Sequence, residues 1–241
     1  GCAGVVCSGM EVQAIKADGI FLDTLKEGTA GFRDGLAGVR EGVVLESELA
    51  LPLERVKDHH MSWAQGFKAS HAPGVLQNKW FEPRHMLHQI QRWNSDHSAE
   101  LHTAWMNGAG MMAWENVFGS YVGWSDRDRY LLWTMLPIRR RFSYLFSGDG
   151  WTPLVETIHR DVFASLWEGS GVRLWTLVNR SGHEVGGPLL KVARHPGEEY
   201  HDLVRGCTAV ARVAGDSVFL HSRIPPRGIG AFAAGSEESL G

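Results

Sequence analysis

The strongest constraint on the fold is an alternation that runs from Gly19 to Phe146. Four short apolar runs occur there: Gly19–Asp23 (GIFLD), Gly42–Glu48 (GVVLESE), Gly74–Trp80 (GVLQNKW) and Gly110–Trp114 (GMMAW). Each is followed by a segment with helical features, at Thr29–Val39, Leu53–Phe67, Pro83 to about Trp93, and Asp126–Phe146. Pro83 suits a first helical turn. Ser125 and Asp126 suit a helix N-terminus, and Leu131, Leu132, Met135, Ile138, Phe142 and Leu145 line one side of the helix predicted after them. Strands alternating with helices imply a parallel sheet. Four such units are half of an eight-stranded barrel, so the expected class is α/β, a partial (β/α)8 TIM-type barrel. A doubly wound sheet is the competing architecture, since four units close as an open sheet. No Gly-rich phosphate loop follows any of the runs.

The pattern changes after Gly148, where GDGWTP reads as a linker. Short strand-like runs come after it at Val162–Trp167, Val172–Asn179, Leu189–Val192, Ala209–Val213, Ser217–His221 and Gly230–Ala234, separated by turns such as EGSG, NRSG and AGD. That spacing predicts an antiparallel β-sandwich. The expected division is barrel half 1–148, sandwich 155–234 and a polar, disordered tail 235–241, with the sandwich burying its own apolar faces. The opening GCAGVVCSGM has neither a basic leader nor an initiator Met, so the chain is expected to begin inside a larger protein whose N-terminal remainder completes the barrel.

Charge and cysteine content narrow the function. A formal net charge of -3 gives no electrostatic case for nucleic acid. No apolar run approaches a membrane span. Cys2, Cys7 and Cys207 are too few for a disulfide scaffold and leave the compartment open. No Gly-x-Ser-x-Gly is present to suggest an esterase.

Acids end three of the four apolar runs. Asp23 closes the first, Glu46 and Glu48 the second, and Glu115 follows the last. Alternate strand residues share a face, so Val44, Glu46 and Glu48 point one way and Leu45 and Ser47 the other. In a parallel barrel all strand C-ends meet on one face, which gathers these acids there. Paired carboxylates are what glycosidic cleavage needs: one protonates the leaving oxygen, and the other attacks carbon or activates water. The expected roles are Glu48 as proton donor and Asp23 as nucleophile or base. Glu115, the third strand-end acid, is placed with Asn116 on substrate hydroxyls, and Glu46 lies lower on the same face. Each acid could instead cap a helix or pair with a base.

Ten Trp provide flat faces that suit a sugar ring as well as a core. Trp63, Trp80, Trp105, Trp114 and Trp124 fall near expected strand ends, and Trp63, Trp80, Trp114 and Trp124 are candidates for substrate contact. Lys79 and Arg84 are candidates for an anionic substituent, or for pairing with a nearby acid. His85 and His88, three apart on an expected helix, share a face. They are candidates for sugar hydroxyls, His85 first, or for half of a metal site. No HExxH or Cys cluster accompanies them, and no metal or cofactor is expected.

Taken together, GIFLDT (19–24), GVVLESELALP (42–52), GAGMMAWENVFG (108–119) and LHSRIPPRGIGAF (220–232) resemble the C-terminal half of a (β/α)8-barrel glycoside hydrolase joined to its C-terminal β-sandwich. The resemblance covers about residues 17–234. GIFLDT is similar to the strand-end Asp of α-galactosidase-like barrels, without the Lys-x-Asp form of that motif. The resemblance implies a carbohydrate substrate and hydrolysis by strand-end carboxylates. A non-catalytic carbohydrate-binding or structural module of a larger protein is the alternative, and a metal-dependent hydrolase using the histidines is a third reading.

Overall fold

The computed structural model describes residues 2–64, 70–89, 96–112, 116–117, 120–121 and 124–240. The first part runs α1 (Cys2–Ile15), β1 (Gly19–Leu22), α2 (Phe32–Val39), β2 (Val44–Ser47), a 3₁₀ turn (Leu53–Asp58) and β3 (Met61–Ala64). It continues with α3 (Gln77–Phe81), β4 (Met86–Gln89), α4 (Ser98–Asn107), β5 (Gly110–Met111), a hairpin of β6 (Asn116–Val117) and β7 (Ser120–Tyr121), α5 (Asp126–Arg141) and α6 (Ser143–Phe146). Strands β1 to β5 form one sheet in sequential order, and every neighbouring pair is parallel. A doubly wound sheet reverses its order at a switch point. Here each strand is laid beside the last, which is the wall of a (β/α)8 barrel.

Among the described residues the wall has five strands where the sequence pattern predicts four, and the third unit is corrected. Gly74–Trp80 is three residues of loop followed by most of α3. The helix expected at Leu53–Phe67 is the 3₁₀ turn followed by β3, and the one expected from Pro83 contains β4. MSWA and MLHQ are four-residue strands, too short for periodicity to separate strand from helix. Helix α4 escapes the sequence pattern because every residue in it except Ala99 is buried. A helix buried all round carries no apolar stripe to read. By contrast α5 starts where Ser125 predicts, with Ser125 Oγ accepting from the Asp128 N–H at 3.2 Å.

Partner registers assign the two faces of the sheet. Leu45 packs with Leu36 of α2 and Val12 of α1, so its side is the helix-bearing face. Phe21, Glu46 and Met61 stand in register on the other face, as do Trp63, His88 and Gly110 two residues along or further.

The second part comprises β8 (Trp151–Val155), β9 (Val162–Gly169), β10 (Val172–Asn179), β11 (Val185–Ala193), β12 (Glu199–Asp202), β13 (Cys207–Thr208), β14 (Val210–Ala214), β15 (Ser217–Ile224) and β16 (Ile229–Gly235). They form antiparallel sheets in the orders β13-β12-β16-β10-β9-β8 and β11-β15-β14. Trp175, Leu177 and Phe232 of the first sheet pack with Leu190 and Leu220 of the second in one core. Strand β8, not expected from sequence, holds Pro153 at a register shift on the sheet edge, where a missing N–H is tolerated. The tail, expected to be disordered, forms α7 (Glu237–Leu240), and Leu240 packs against the barrel–sandwich core.

Candidate active site

The C-terminal ends of β1 and β2 place two of the strand-end acids side by side. Leu22 is in register with Ser47, so Asp23 and Glu48 are the next residues on adjacent strands. Asp23 is exposed and Glu48 half-buried. Between them sits Thr24, with a φ of 56°, left-handed backbone that a β-branched residue rarely adopts. The Thr24 N–H donates to Glu48 Oε2. The loop after β1 is pinned from other sides too. Ser47 Oγ reaches the carbonyls of Leu25, Lys26 and Leu49. The Gly28 N–H donates to His59 Nε2 at 2.9 Å, and Arg55 donates to the Gly28 carbonyl at 2.6 Å. Strained backbone persists only where surroundings over-determine it, and such residues cluster at functional sites.

Deeper on the same face, Glu46 Oε1 lies 2.8 Å from His88 Nδ1, and both side chains are partly exposed. An ideal Cβ on Gly110 would fall 2.4 Å from Cδ2 of His88, so the glycine provides the space for the imidazole. Trp63 stacks on Phe21 with ring centroids 5.2 Å apart and planes 27° apart, giving the face an aromatic floor that Phe21 leaves 43% exposed. Acid, imidazole and aromatic faces on one side of a sheet are suited to polar ring substrates, where hydroxyls are bonded and CH faces are stacked.

The spacing of His85 and His88 predicts a shared helical face, and the strand overturns that. Residues three apart on a strand point to opposite faces. His85 is buried on the helix side. Its Nδ1 donates to the His59 carbonyl at 3.2 Å, and its Nε2 accepts from Ser62 Oγ at 2.8 Å. Burial, the largest cause, with nearby cations lowers its pKa to about 4, so it is neutral. Among the described residues no group of three or more His, Cys, Asp or Glu could hold a metal ion.

Other candidates lie away from the strand C-ends. Lys79 is fully buried; its Nζ donates to the Pro83 carbonyl and, at 2.6 Å, to the Phe146 carbonyl. Burial, then Arg139, lowers its pKa to about 8. Trp80 is exposed and meets Trp151 of the sandwich edge-on at 6.5 Å. Arg84 precedes β4 and grips Glu82 through Nε at 2.9 Å and Nη2 at 3.1 Å. Trp124 is buried, stacked on His97 at 4.5 Å and 15°. His97 Nδ1 in turn lies 2.9 Å from buried Glu100, whose carboxyl burial pushes up in pKa. Trp114 and Glu115 lie outside the described residues, and Asn116 opens β6, in register with Tyr121.

No protein-family profile and no curated protein sequence matches the chain. Solved structures do. An α-amylase of Anoxybacillus is 11% identical with a TM-score of 0.64, covering 98% of this chain and 63% of that one. A debranching enzyme of Nostoc punctiforme is 12% identical with a TM-score of 0.62, over 96% of this chain and 60% of that one. A β-L-arabinopyranosidase of Geobacillus stearothermophilus, in complex with arabinose, is 9% identical with a TM-score of 0.55, over 96% and 61%. The chain therefore has the fold of (β/α)8-type glycoside hydrolases with a C-terminal β-rich part, and it spans about three fifths of the length of each of these proteins.

Proposed function

We propose that the chain is the C-terminal part of a glycoside hydrolase. Its substrate cleft lies over the C-terminal ends of β1 to β5, and an N-terminal remainder supplies the other strands of the barrel. The observation that carries this reading is the succession Asp23, Thr24, Glu48: two acids at adjacent strand ends, joined through a strained residue. In the proposed reaction Glu48 gives a proton to the glycosidic oxygen as that bond breaks. Asp23 attacks the anomeric carbon or takes a proton from the water that does. Glu46 and His88, with Glu115 and Asn116, bind sugar hydroxyls, and Trp114 and the exposed Phe21, backed by the buried Trp63, offer stacking faces. Water is the only co-reactant, so no cofactor is required. The remainder is supported by the sheet itself: among the described residues β1 and β5 are its two edges, and a barrel has none.

The second reading, a non-catalytic carbohydrate-binding module, draws support from one feature. Glu46 and Glu48 both already engage groups of the chain, His88 and the Thr24 N–H.

The deciding experiment measures hydrolysis of an aryl-glycoside panel by the longer protein and its variants Asp23→Asn and Glu48→Gln. Loss of several orders of magnitude in kcat in both, with carbohydrate affinity retained, supports the enzyme. Near wild-type turnover in both variants rejects the assignment of the acids. Saturable sugar binding without hydrolysis by the parent favours the module.

A further inference from the structure

On the helix-bearing side of the sheet, opposite the Glu46–His88 face, a cavity of about 230 Å³ opens among α2, the 3₁₀ turn and the starts of β3 and β4. Arg33, Lys57, His60 and Arg84 line it, brought from three segments: α2, the 3₁₀ turn with the residues just after it, and the turn before β4. The one acid in its wall is Glu82, and Arg84 holds both oxygens of that carboxylate. Arg33 spends one N–H on the Lys57 carbonyl at 2.6 Å. Among the described residues neither Arg33 nor Lys57 forms a salt bridge. With Glu82 neutralised by Arg84, Arg33 and Lys57 are two further cations on the cavity, in a chain whose net charge is -3.

The hydrogen bonds also fix where the histidine protons lie. His59 accepts from the Gly28 N–H at Nε2 and faces the Arg55 carbonyl with Nδ1, so its ring is fully used. The ring of His85 is likewise used at both nitrogens. His60 differs. Its Nδ1 accepts from the Leu45 N–H at 3.0 Å, so the ring proton of the neutral form is on Nε2, as a donor left for the cavity. The wall therefore offers guanidinium, ammonium and imidazole N–H groups, with Glu82, paired to Arg84, as its acid.

We propose that this cavity binds a tetrahedral oxyanion, a phosphate or a small phosphate ester, with Arg33 and His60 donating to its oxygens and Lys57 supplying further charge. Guanidinium groups match such oxygens in pairs. The volume leaves room for a small ester group beside the phosphate. The site is independent of the glycosidase reading, because it lies behind the sheet and uses none of the strand-end acids. Burial, then Arg33 and His59, lowers the pKa of His60. The other groups facing it are Lys57, Glu82, Arg84 and His85. With Nδ1 held as an acceptor by the Leu45 N–H, the neutral ring is the form that donates Nε2–H to the anion.

Isothermal titration calorimetry with inorganic phosphate, at constant ionic strength against a chloride control, tests this at about pH 8, where the phosphate is a dianion. The expected result is saturable binding at one site, weakened about tenfold or more by Arg33→Ala. His60→Ala removes the imidazole donor and should also weaken binding, whereas His60→Gln keeps a donor and should weaken it less. Lys57 is exposed, so Lys57→Ala serves where circular dichroism shows Arg33→Ala misfolded, and it should also weaken binding. A second arm with glucose 6-phosphate separates the sources: tighter binding than inorganic phosphate identifies an ester, and equal or weaker binding identifies the free anion. No saturable heat beyond the chloride control, or affinity unchanged in both folded Arg33→Ala and Lys57→Ala, overturns the proposal.

Discussion

Glu46 Oε1 and His88 Nδ1 lie 2.8 Å apart although their strands are not neighbours, since β3 runs between β2 and β4. The contact crosses over β3 on the face opposite the helices, and it exists because β5 presents Gly110 beside the imidazole. Gly110→Ala should push the ring away from Glu46 and overpack the sheet, lowering stability by about 1–3 kcal/mol. Urea unfolding measures it. An unchanged midpoint would show that His88 has another position of equal energy.

Thr24 and Glu48 give a prediction of two opposite signs. Glycine adopts a φ of 56° without a Cβ clash, so Thr24→Gly should raise stability by about 1 kcal/mol while keeping the N–H that Glu48 accepts. Glu48→Ala removes that acceptor and should lower stability by about 0.5–1 kcal/mol. Denaturant midpoints of both variants test the loop geometry separately from catalysis. Two shifts of the same sign would contradict it.

The legible parts of the chain are those with long or repeated patterns. Asp126–Arg141 combines a cap with sixteen residues of helix, and turns bound the sandwich strands, so both lie close to their predicted places. The acids at the ends of β1 and β2 are legible because alternation alone sets the face of Glu46 and Glu48. His88 is not, because a four-residue strand carries too few residues to be told from helix, and a helical reading puts it on the wrong side relative to His85. Lys79 is illegible for a different reason. Its burial depends on the Phe146 carbonyl, far along the chain, and no local pattern signals a lysine that bonds a distant helix end.

Acid should destabilise the fold through its neutral histidines. Burial lowers His85 to about 4 and, with Arg180, His102 to about 3. His102 Nε2 donates to the Arg227 carbonyl at 2.9 Å and Nδ1 accepts from Arg180 at 3.3 Å, a pattern only the neutral ring satisfies. Both folded values lie below the unfolded value of 6.5. Their contribution is therefore intact above about pH 6.5 and is lost as pH falls toward 4, where the unfolded chain binds the extra protons. The loss by pH 4 should be about 3 kcal/mol per ring. His102→Gln can keep both hydrogen bonds and cannot titrate, so its denaturant midpoint should fall less steeply between about pH 7 and 4. Parallel curves for parent and variant would remove His102 from the account.

The last prediction concerns the proposed division into 1–148 and 155–234. The chain passes from one part to the other at Ser147–Gly150, yet the core does not stop there: Leu101, Trp105 and Met135 share one buried cluster with Trp167, Leu174 and Ile229. Trp105 Nε1 donates to the Gly230 carbonyl at 3.1 Å, and Ser165 Oγ donates to the Met106 carbonyl at 2.6 Å. Trp151 and Trp167 stack 5.2 Å apart at 8°, with Phe146 against Trp167 at 4.8 Å. Helix α4 is thus a barrel helix in sequence and part of the shared barrel–sandwich core in packing. Proteolytic nicking at Ser147–Gly150 should leave two pieces that elute together on size exclusion. Trp105→Ala should cost about 3–5 kcal/mol and let the nicked pieces separate. If the parent pieces separate on nicking and the sandwich alone melts at the intact chain's temperature, the seam contributes little and the two parts fold independently.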